Sequence, residues 1–142
     1  VVNVAENFFP LPGDDIVGIV TPGQGVVVYP SNARELAAFE DSRERWVPMK
    51  WDGENEQLFA SRVDLTAVNR TGSLSVITQT IADFDANITN LSLIHLNEDF
   101  CDLTVDLQVR NKEHMEQLVN ALKGSRVISK AKRIIFGGTI EN

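Results

Sequence analysis

The sequence predicts an α+β fold in two parts, and three observations lead to that prediction. The polar stretch "WDGENEQ" separates two halves that differ in hydrophobic pattern. In the first half, short β-branched runs flank the turn-forming cluster "TPGQG". In the second half, a stretch of alternating apolar residues, typical of a strand, is followed by apolar residues spaced three and four apart, typical of a helix, and this succession occurs twice. We therefore predict a small ββαβ domain over residues 1–54 and a βαββαβ domain over residues 55–142.

The first half has the elements of a very small domain. "DIVGIV" and "GVVVY" predict a hairpin, and "SNARELAAFE" predicts a helix capped by Ser31, with Leu36 and Phe39 on its inner face. "RWVPMKW" predicts a short strand, which Pro48 places at a sheet edge because proline lacks a backbone donor. A unit of about 50 residues is near the size at which metals or partners usually add stability.

The second half begins with a strand and a helix. "QLFASRVDLTAVN" alternates, with apolar residues on one face and polar residues on the other. The inward set is Phe59, Val63, Leu65 and Ala67, and the outward set is Arg62, Asp64 and Thr66. "TGSLSVITQTIADFDA" then predicts a helix whose inner stripe is Leu74, Ile77, Ile81 and Phe84.

The remaining elements complete a known arrangement. "NITNLSLIHL" and "EDFCDLTVDLQVR" predict two strands, "NKEHMEQLVNALKG" a helix from Asn111 to Gly124, and "RVISKAKRIIF" a last strand. The residues predicted to point inward from "EDFCDLTVDLQVR" and from the helix after it are Cys101, Leu103, Val105, Leu107, Val109, Met115, Leu118, Val119 and Leu122. This order is that of the ferredoxin-like fold, with both helices on one face of an antiparallel sheet.

Composition excludes several classes of function. The chain has 142 residues and a net charge of −7, which disfavours a large nucleic-acid-binding surface. It has no apolar run near the ~20 residues of a membrane helix. The single cysteine, Cys101, cannot form an internal disulfide and fits a reducing compartment, so we predict a cytoplasmic protein. No catalytic triad, acid–base pair or cofactor motif is apparent, so we predict a non-catalytic chain without a cofactor.

The stretch "AVNRTGSLSVITQTIADFDANITNL" resembles an ACT domain, a small-molecule-sensing module with this βαββαβ order. The resemblance rests on an Asn-x-x-Gly-x-Leu turn after the first strand and on Asn-Ile at the start of the second. In this chain these residues are Asn69, Gly72, Leu74, Asn87 and Ile88.

The first half extends the resemblance. "PLPGDDIVGIVTPGQGVVVY" and "RWVPMKWD", followed by an ACT-like stretch, are similar to the C-terminal regulatory region of Rel/SpoT-type (p)ppGpp synthetase/hydrolases. The resemblance covers residues 5–134 and implies bacterial catalytic domains upstream, which this chain lacks. The first residue is Val1, so we expect the chain to be a piece of a longer protein.

The resemblance also implies a ligand site. In similar ACT domains the effector lies between the turn and strand two of a partner subunit, so we expect a homodimer that binds a small apolar amino acid. The expected contacts are Asn69, Arg70, Thr71, Gly72, Ser73, Leu74, Asn87 and Ile88. A helix N-terminus suits the carboxylate of such a ligand. Against this, Ala67 stands where amino-acid-binding members often have His, and a purely structural turn, capped by Asn69 or Thr71, is the alternative.

Four positions in the first half depart from the family pattern. Many relatives have a Cys pair at Phe8 and Phe9, a His at Tyr29 and a Cys at about Ala33, a set that suits tetrahedral zinc. None of these four side chains is a good zinc ligand. We therefore expect a zinc-finger-like domain without metal, in which aromatic rings fill the space. Replacing Phe8 or Phe9 by Ala is then expected to unfold the first half while the second half stays intact. The alternative is that Phe8 and Phe9 form an exposed docking patch.

Two further surfaces are candidates for interaction. "NLSLIHL" is apolar enough to bury a sheet edge against a second copy. A basic stretch without acids contains Lys123, Arg126, Lys130, Lys132 and Arg133. Its ordinary interpretation is a solvated strand edge. The functional alternative is a contact to ribosomal RNA, since the regulatory region of the resembling family docks on ribosomes.

Overall fold

The computed structural model describes residues 1–52 and 57–137 and contains two four-stranded sheets. The first sheet has the order β1-β3-β2-β4. Its strands are β1 (Val2–Val4), β2 (Ile16–Thr21), β3 (Gly25–Pro30) and β4 (Trp46–Pro48). The predicted domain boundary at residues 54 and 55 lies outside the described residues.

The first sheet contains the predicted hairpin and edge strand. β2 and β3 pair antiparallel from Ile16 opposite Pro30 to Thr21 opposite Gly25, and Gly23 in the turn has φ +81°. Within the described residues β4 pairs only with β2, so Pro48 lies on an edge strand, as predicted. The prediction did not include β1, which pairs parallel to β3 on the other edge.

The helix of the first half differs from the prediction. Residues Arg34–Phe39 form a 3-10 helix, and a second 3-10 turn covers Arg43–Arg45. The first helix begins after Ala33, with Leu36 N donating to Ala33 O, so Ser31 does not cap it. A six-residue segment is short enough for 3-10 geometry, which is common in short pieces. Leu36 is buried and Phe39 is half-buried.

The second half has the predicted ferredoxin-like βαββαβ order, with strands in the order β6-β7-β5-β8. Its elements are β5 (Phe59–Val68), α1 (Ser73–Asp83), β6 (Asn87–Leu96), β7 (Phe100–Val109), α2 (Lys112–Lys123) and β8 (Ile128–Ile134). All three strand pairs are antiparallel.

The core of the second half lies between the sheet and the two helices. The inward residues predicted for β5, β7 and α2 are buried or packed against this core. Asn111 caps α2 as predicted, since its Oδ1 accepts from His114 N at 2.8 Å. Leu74 was predicted to point inward, but it is 51% exposed. The buried stripe of α1 instead runs through Ser73, Ile77 and Ile81, at intervals of four.

The outer face of the second sheet is polar, as predicted. Arg62 pairs with Asp106 at 2.6 Å, Thr66 donates to Asp102 at 2.7 Å, and Thr104 donates to Asp64. These hydrogen bonds join side chains of β5 and β7 on the solvent-facing side of the sheet. Among the described helices, none combines the length and the apolar character needed to cross a membrane.

Candidate functional site

The turn between β5 and α1 leaves backbone donors open at the start of a helix. Gly72 is the N-cap residue, with φ +90°, and no side chain caps the helix. The first intrahelical bond is from Val76 N to Gly72 O. Within the described residues, the N–H groups of Leu74 and Ser75 donate to no acceptor. The first turn contains no acidic residue, so the positive end of the helix dipole is free for an anion.

Two more features mark the same helix start. The hydroxyl of Ser73 is buried and has no hydrogen-bond partner within the described part of the chain. A Cβ built on Gly72 would meet no atom within 4 Å, so the space above this glycine is open. Ser73 lies on the buried stripe of α1, so its hydroxyl faces the core, whereas Gly72 and the open space above it lie on the solvent side.

Asn69 holds this turn against the turn between β6 and β7. Its backbone N donates to Asp99 O at 2.8 Å, and its Nδ2 donates to Asn97 O at 2.7 Å. Asn97 in turn accepts from the backbone N–H groups of Asp99 and Phe100. Asn69 therefore positions the loop and does not cap α1. Arg70 and Thr71 are exposed beside it.

The other two expected ligand contacts lie at the opposite end of the same sheet. Ile88 is level with Leu107, and Leu107 is level with Ser61, whereas the turn follows Val68. Val68 is seven residue steps along β5 from Ser61, about 23 Å at ~3.3 Å per step. Within one chain, Asn87 and Ile88 therefore do not reach the turn.

The outer edge of β6 is apolar and uncovered. Within the described residues β6 pairs only with β7, and its register shifts twice, between Ile88 and Asn90 and between Leu93 and His95. Leu93 and Leu96 point to the helix side, because their cross-strand partners Leu103 and Cys101 do, yet each is 54% exposed. The core ends before it reaches this edge.

The five basic residues do not form one surface. Lys130 and Lys132 are exposed opposite Thr66 and Asp64 on the polar sheet face. Arg133 lies opposite Val63, on the other face, and its guanidinium pairs with Asp14 of the first half. Lys123 and Arg126 lie at and after the end of α2. The charge of Arg133 is thus paired within the chain, and an RNA contact through the five residues stays a prediction.

Three of the four positions expected to replace zinc ligands lie together. Phe8 is buried, with ring centroids 5.8 Å from Tyr29 and 4.8 Å from Phe136, and Ala33 packs against the same cluster. Phe9 departs from this group: it is half-buried and its ring lies under the guanidinium of Arg62, 4.9 Å away. In residues 1–52 and 57–137, no three His, Cys, Asp or Glu side chains are grouped to hold a metal.

Sequence reasoning missed Asn97 and Phe136. The "NED" triplet after β6 was a usable signal, because Asn commonly accepts backbone bonds in turns. Nothing local in the sequence places Phe136 beside Phe8, since 128 positions separate them along the chain.

Comparison with known families fits this geometry. Residues 55–133 match the ACT domain family, more than half of the chain. The chain belongs to the ACT-domain family. Residues 1–52, ahead of the ACT domain, match the RelA/SpoT RIS domain. That match says nothing about zinc, so the zinc-finger-like character of the first half stays a prediction.

Curated relatives contain both domains of this chain. It is 39% identical over 126 residues to the GTP pyrophosphokinase rsh of Brucella ovis, and 25% identical over 114 residues to the bifunctional (p)ppGpp synthase/hydrolase SpoT of Escherichia coli K12. It spans 17% and 16% of their lengths. The chain is thus homologous to the C-terminal region of Rel/SpoT (p)ppGpp enzymes. The crystal structure of the ACT domain from a GTP pyrophosphokinase of Chlorobium tepidum aligns with 55% of the chain and all of that domain, at 19% identity and a TM-score of 0.49.

Proposed function

We propose that this chain is the non-catalytic regulatory region of a bacterial, cytoplasmic stringent-response (p)ppGpp synthetase/hydrolase. It binds a small apolar amino acid, of the branched-chain class, between two ACT domains and relays the bound state to upstream catalytic domains. The observation that carries the proposal is the start of α1, where the N–H groups of Leu74 and Ser75 and the space above Gly72 are open.

These groups suit the carboxylate of an amino acid. Free backbone N–H groups at a helix N-terminus bind anions through hydrogen bonds and through the helix dipole. The exposed side chain of Leu74 lies beside them and offers apolar contact to the rest of the ligand. A micromolar dissociation constant, equal to about −8 kcal/mol, is a reasonable strength for such a sensor.

A second copy would complete the site. If two β6 strands pair antiparallel about a twofold axis, the Asn87 end of one strand meets the Leu96 end of the other. Asn69 ties the ligand turn to Asn97, directly after Leu96. Asn87 and Ile88 of the second copy then reach the turn of the first. This pairing also covers Leu93 and Leu96, and it explains how residues about 23 Å apart in one chain can share a ligand.

Titration calorimetry with valine, leucine and isoleucine tests the proposal, with aspartate as a polar control. Gly72→Ala should weaken binding at least tenfold, about 1.4 kcal/mol, because the added Cβ occupies the open space and strains the turn. Gly23→Ala is the matched control, since Gly23 also has a positive φ, +81°, and open surroundings. Each substitution should cost about 1–2 kcal/mol of stability, but Gly23→Ala should bind normally. Equal binding by both variants would place the ligand elsewhere.

The second candidate is a module of the same enzyme that dimerises or contacts ribosomal RNA without binding a ligand. The uncovered β6 edge favours dimerisation in this case too. It is the correct interpretation if no amino acid binds while the chain is dimeric. RNA contact would rest on Lys130 and Lys132, whose alanine variants would then lower both the affinity for ribosomal RNA and its salt dependence.

A further inference from the structure

The two halves are joined by a segment that we call the strap, residues 7–14. It runs along the C-terminal end of β8 and the start of α2. Phe9 N donates to Ile135 O at 2.7 Å, and Gly137 N donates to Asn7 O at 2.7 Å, which extends the sheet by a short antiparallel pair. Lys112 N, at the start of α2, donates to Pro12 O at 2.8 Å. The strap thus satisfies a helix donor that has no intrahelical partner.

Each half gives a side chain to the core of the other. Leu11, from the first half, is 0% exposed and belongs to the core cluster of the ACT domain, with residues of both helices and three strands. Phe136, from the end of the second half, packs on Phe8 in the small cluster of the first. Separating the halves would expose Leu11, leave a cavity in the ACT core and remove an aromatic wall from the small cluster.

A largely buried ion pair fastens the strap. Arg133 Nη1 donates to Asp14 Oδ1 at 3.0 Å, and the pair is 14% and 11% exposed. Asp14 also accepts from Leu11 N at 2.7 Å, and Arg133 donates to Phe9 O. Trp51 Nε1 donates to Asp14 O. Undocking would leave both charges and these backbone groups to find new partners.

We infer that the strap makes the RIS half and the ACT half one cooperative folding unit, so that a ligand bound to either half stabilises both. The reason is that Leu11 packs in the ACT core and Phe136 packs in the small cluster of the first half, while the ion pair of Asp14 and Arg133 holds the strap in place. Whatever binds only the folded state shifts the folding equilibrium of every residue in its cooperative unit. This coupling does not require the proposed amino-acid site; where that site is occupied, the strap is the route by which occupancy reaches the first half.

Both tryptophans, Trp46 and Trp51, lie in the first half, and the fluorescence of Trp46 reports on that half. Trp51 contacts Phe59 of the second half, so a Trp51→Phe background leaves Trp46 as the probe. Amide signals of β7 and α2 in NMR spectra report on the ACT half. In a urea titration the two probes should show the same midpoint. Two separate midpoints in the parent chain would overturn the inference.

Leu118→Ala, in the ACT core and outside residues 7–14, is the second test. It should lower the Trp46 melting temperature by about 5–15 °C, together with that of the ACT amides. If this variant does not fold, Trp46 should report unfolding as well. A native-like Trp46 signal beside an unfolded ACT half would overturn the inference.

Variants of the joint give the reverse test. The double variant Leu11→Ala, Phe136→Ala should separate one transition into two, because the exchanged contacts are gone. Val20→Ala, an apolar truncation at a 44% exposed position of β2, is the control and should keep a single transition. A single transition with an unmoved midpoint in the double variant would show that the strap does not couple the halves.

Discussion

The two outer strands of the ACT sheet, β6 and β8, differ in what covers them. The end of β8 is covered by the strap of the same chain, which supplies backbone partners, the Leu11 side chain and the Asp14 carboxylate. The edge of β6 has no such cover among the described residues and exposes Leu93, Ile94 and Leu96. An exposed apolar edge strand invites pairing with another chain. The strap covers the end of β8 within the chain, and the proposed dimer would cover β6 with a second copy.

The largest effect is expected on the β8 side, at Phe8. Phe8→Ala should cost about 3–5 kcal/mol, because a buried ring is lost between Tyr29 and Phe136. Phe9→Ala should cost about 1 kcal/mol, because that half-buried ring contributes mainly a cation–π contact with Arg62. Thermal melts of both variants measure the difference.

A shift under about 2 °C for Phe8→Ala, which corresponds to less than 1 kcal/mol in a chain of this size, would contradict a core role for this ring. EDTA is the control for the metal. It should leave the melting temperature unchanged, whereas a zinc-dependent domain unfolds with chelators. Sequence alone predicted that the first half would unfold by itself in the Phe8 variant. The shared contacts of Leu11 and Phe136 instead predict that both halves unfold together.

The next effect is expected at the ion pair of the strap. Burial acts to raise the pKa of Asp14, but hydrogen bonds from Arg133 and Leu11 and the charges of Arg133 and Lys112 lower it overall. The pKa of Asp14 is therefore lower in the folded state than in the unfolded state. The stabilisation that its ionised carboxylate contributes to the fold is complete above the unfolded pKa of about 4. It is lost as the pH falls through the folded pKa.

Urea denaturation between neutral and acid pH measures this contribution. Asp14→Asn should lower the free energy of unfolding at neutral pH by about 1.5–3 kcal/mol, the scale of a hydrogen bond to a charged group. The variant should also lose less stability than the parent below pH 4. Asp15→Asn, at an exposed neighbouring position, is the control. Parallel stability curves for parent and Asp14→Asn would show that the pair does not stabilise the joint.

Local sequence patterns predicted most of the fold. Alternation in β5 and β7, the stripe of α2 and the Asn111 cap follow from residues close in sequence, and they were predicted correctly. Leu74 was placed inward because it begins an apolar spacing of three, but the helix starts at Ser73 and turns Leu74 outward. The strap was not predictable, because nothing near Asp14 or Arg133 in the sequence shows that they meet across more than a hundred residues. The turn motif of the candidate site was predictable from the sequence. The unpaired N–H groups of Leu74 and Ser75 and the distance from the turn to Asn87 depend on the three-dimensional fold, so they were not.

Sedimentation velocity of the full chain at micromolar concentration tests the central claim most directly, namely that β6 is the edge completed by a second copy. The parent chain should sediment as a dimer, and Leu93→Asp should sediment as a folded monomer, because a charge at the edge opposes strand pairing. Val2→Asp, at an exposed apolar position on the edge strand β1, should remain a dimer. A monomeric parent chain, or a Leu93→Asp variant that stays dimeric, would contradict the claim.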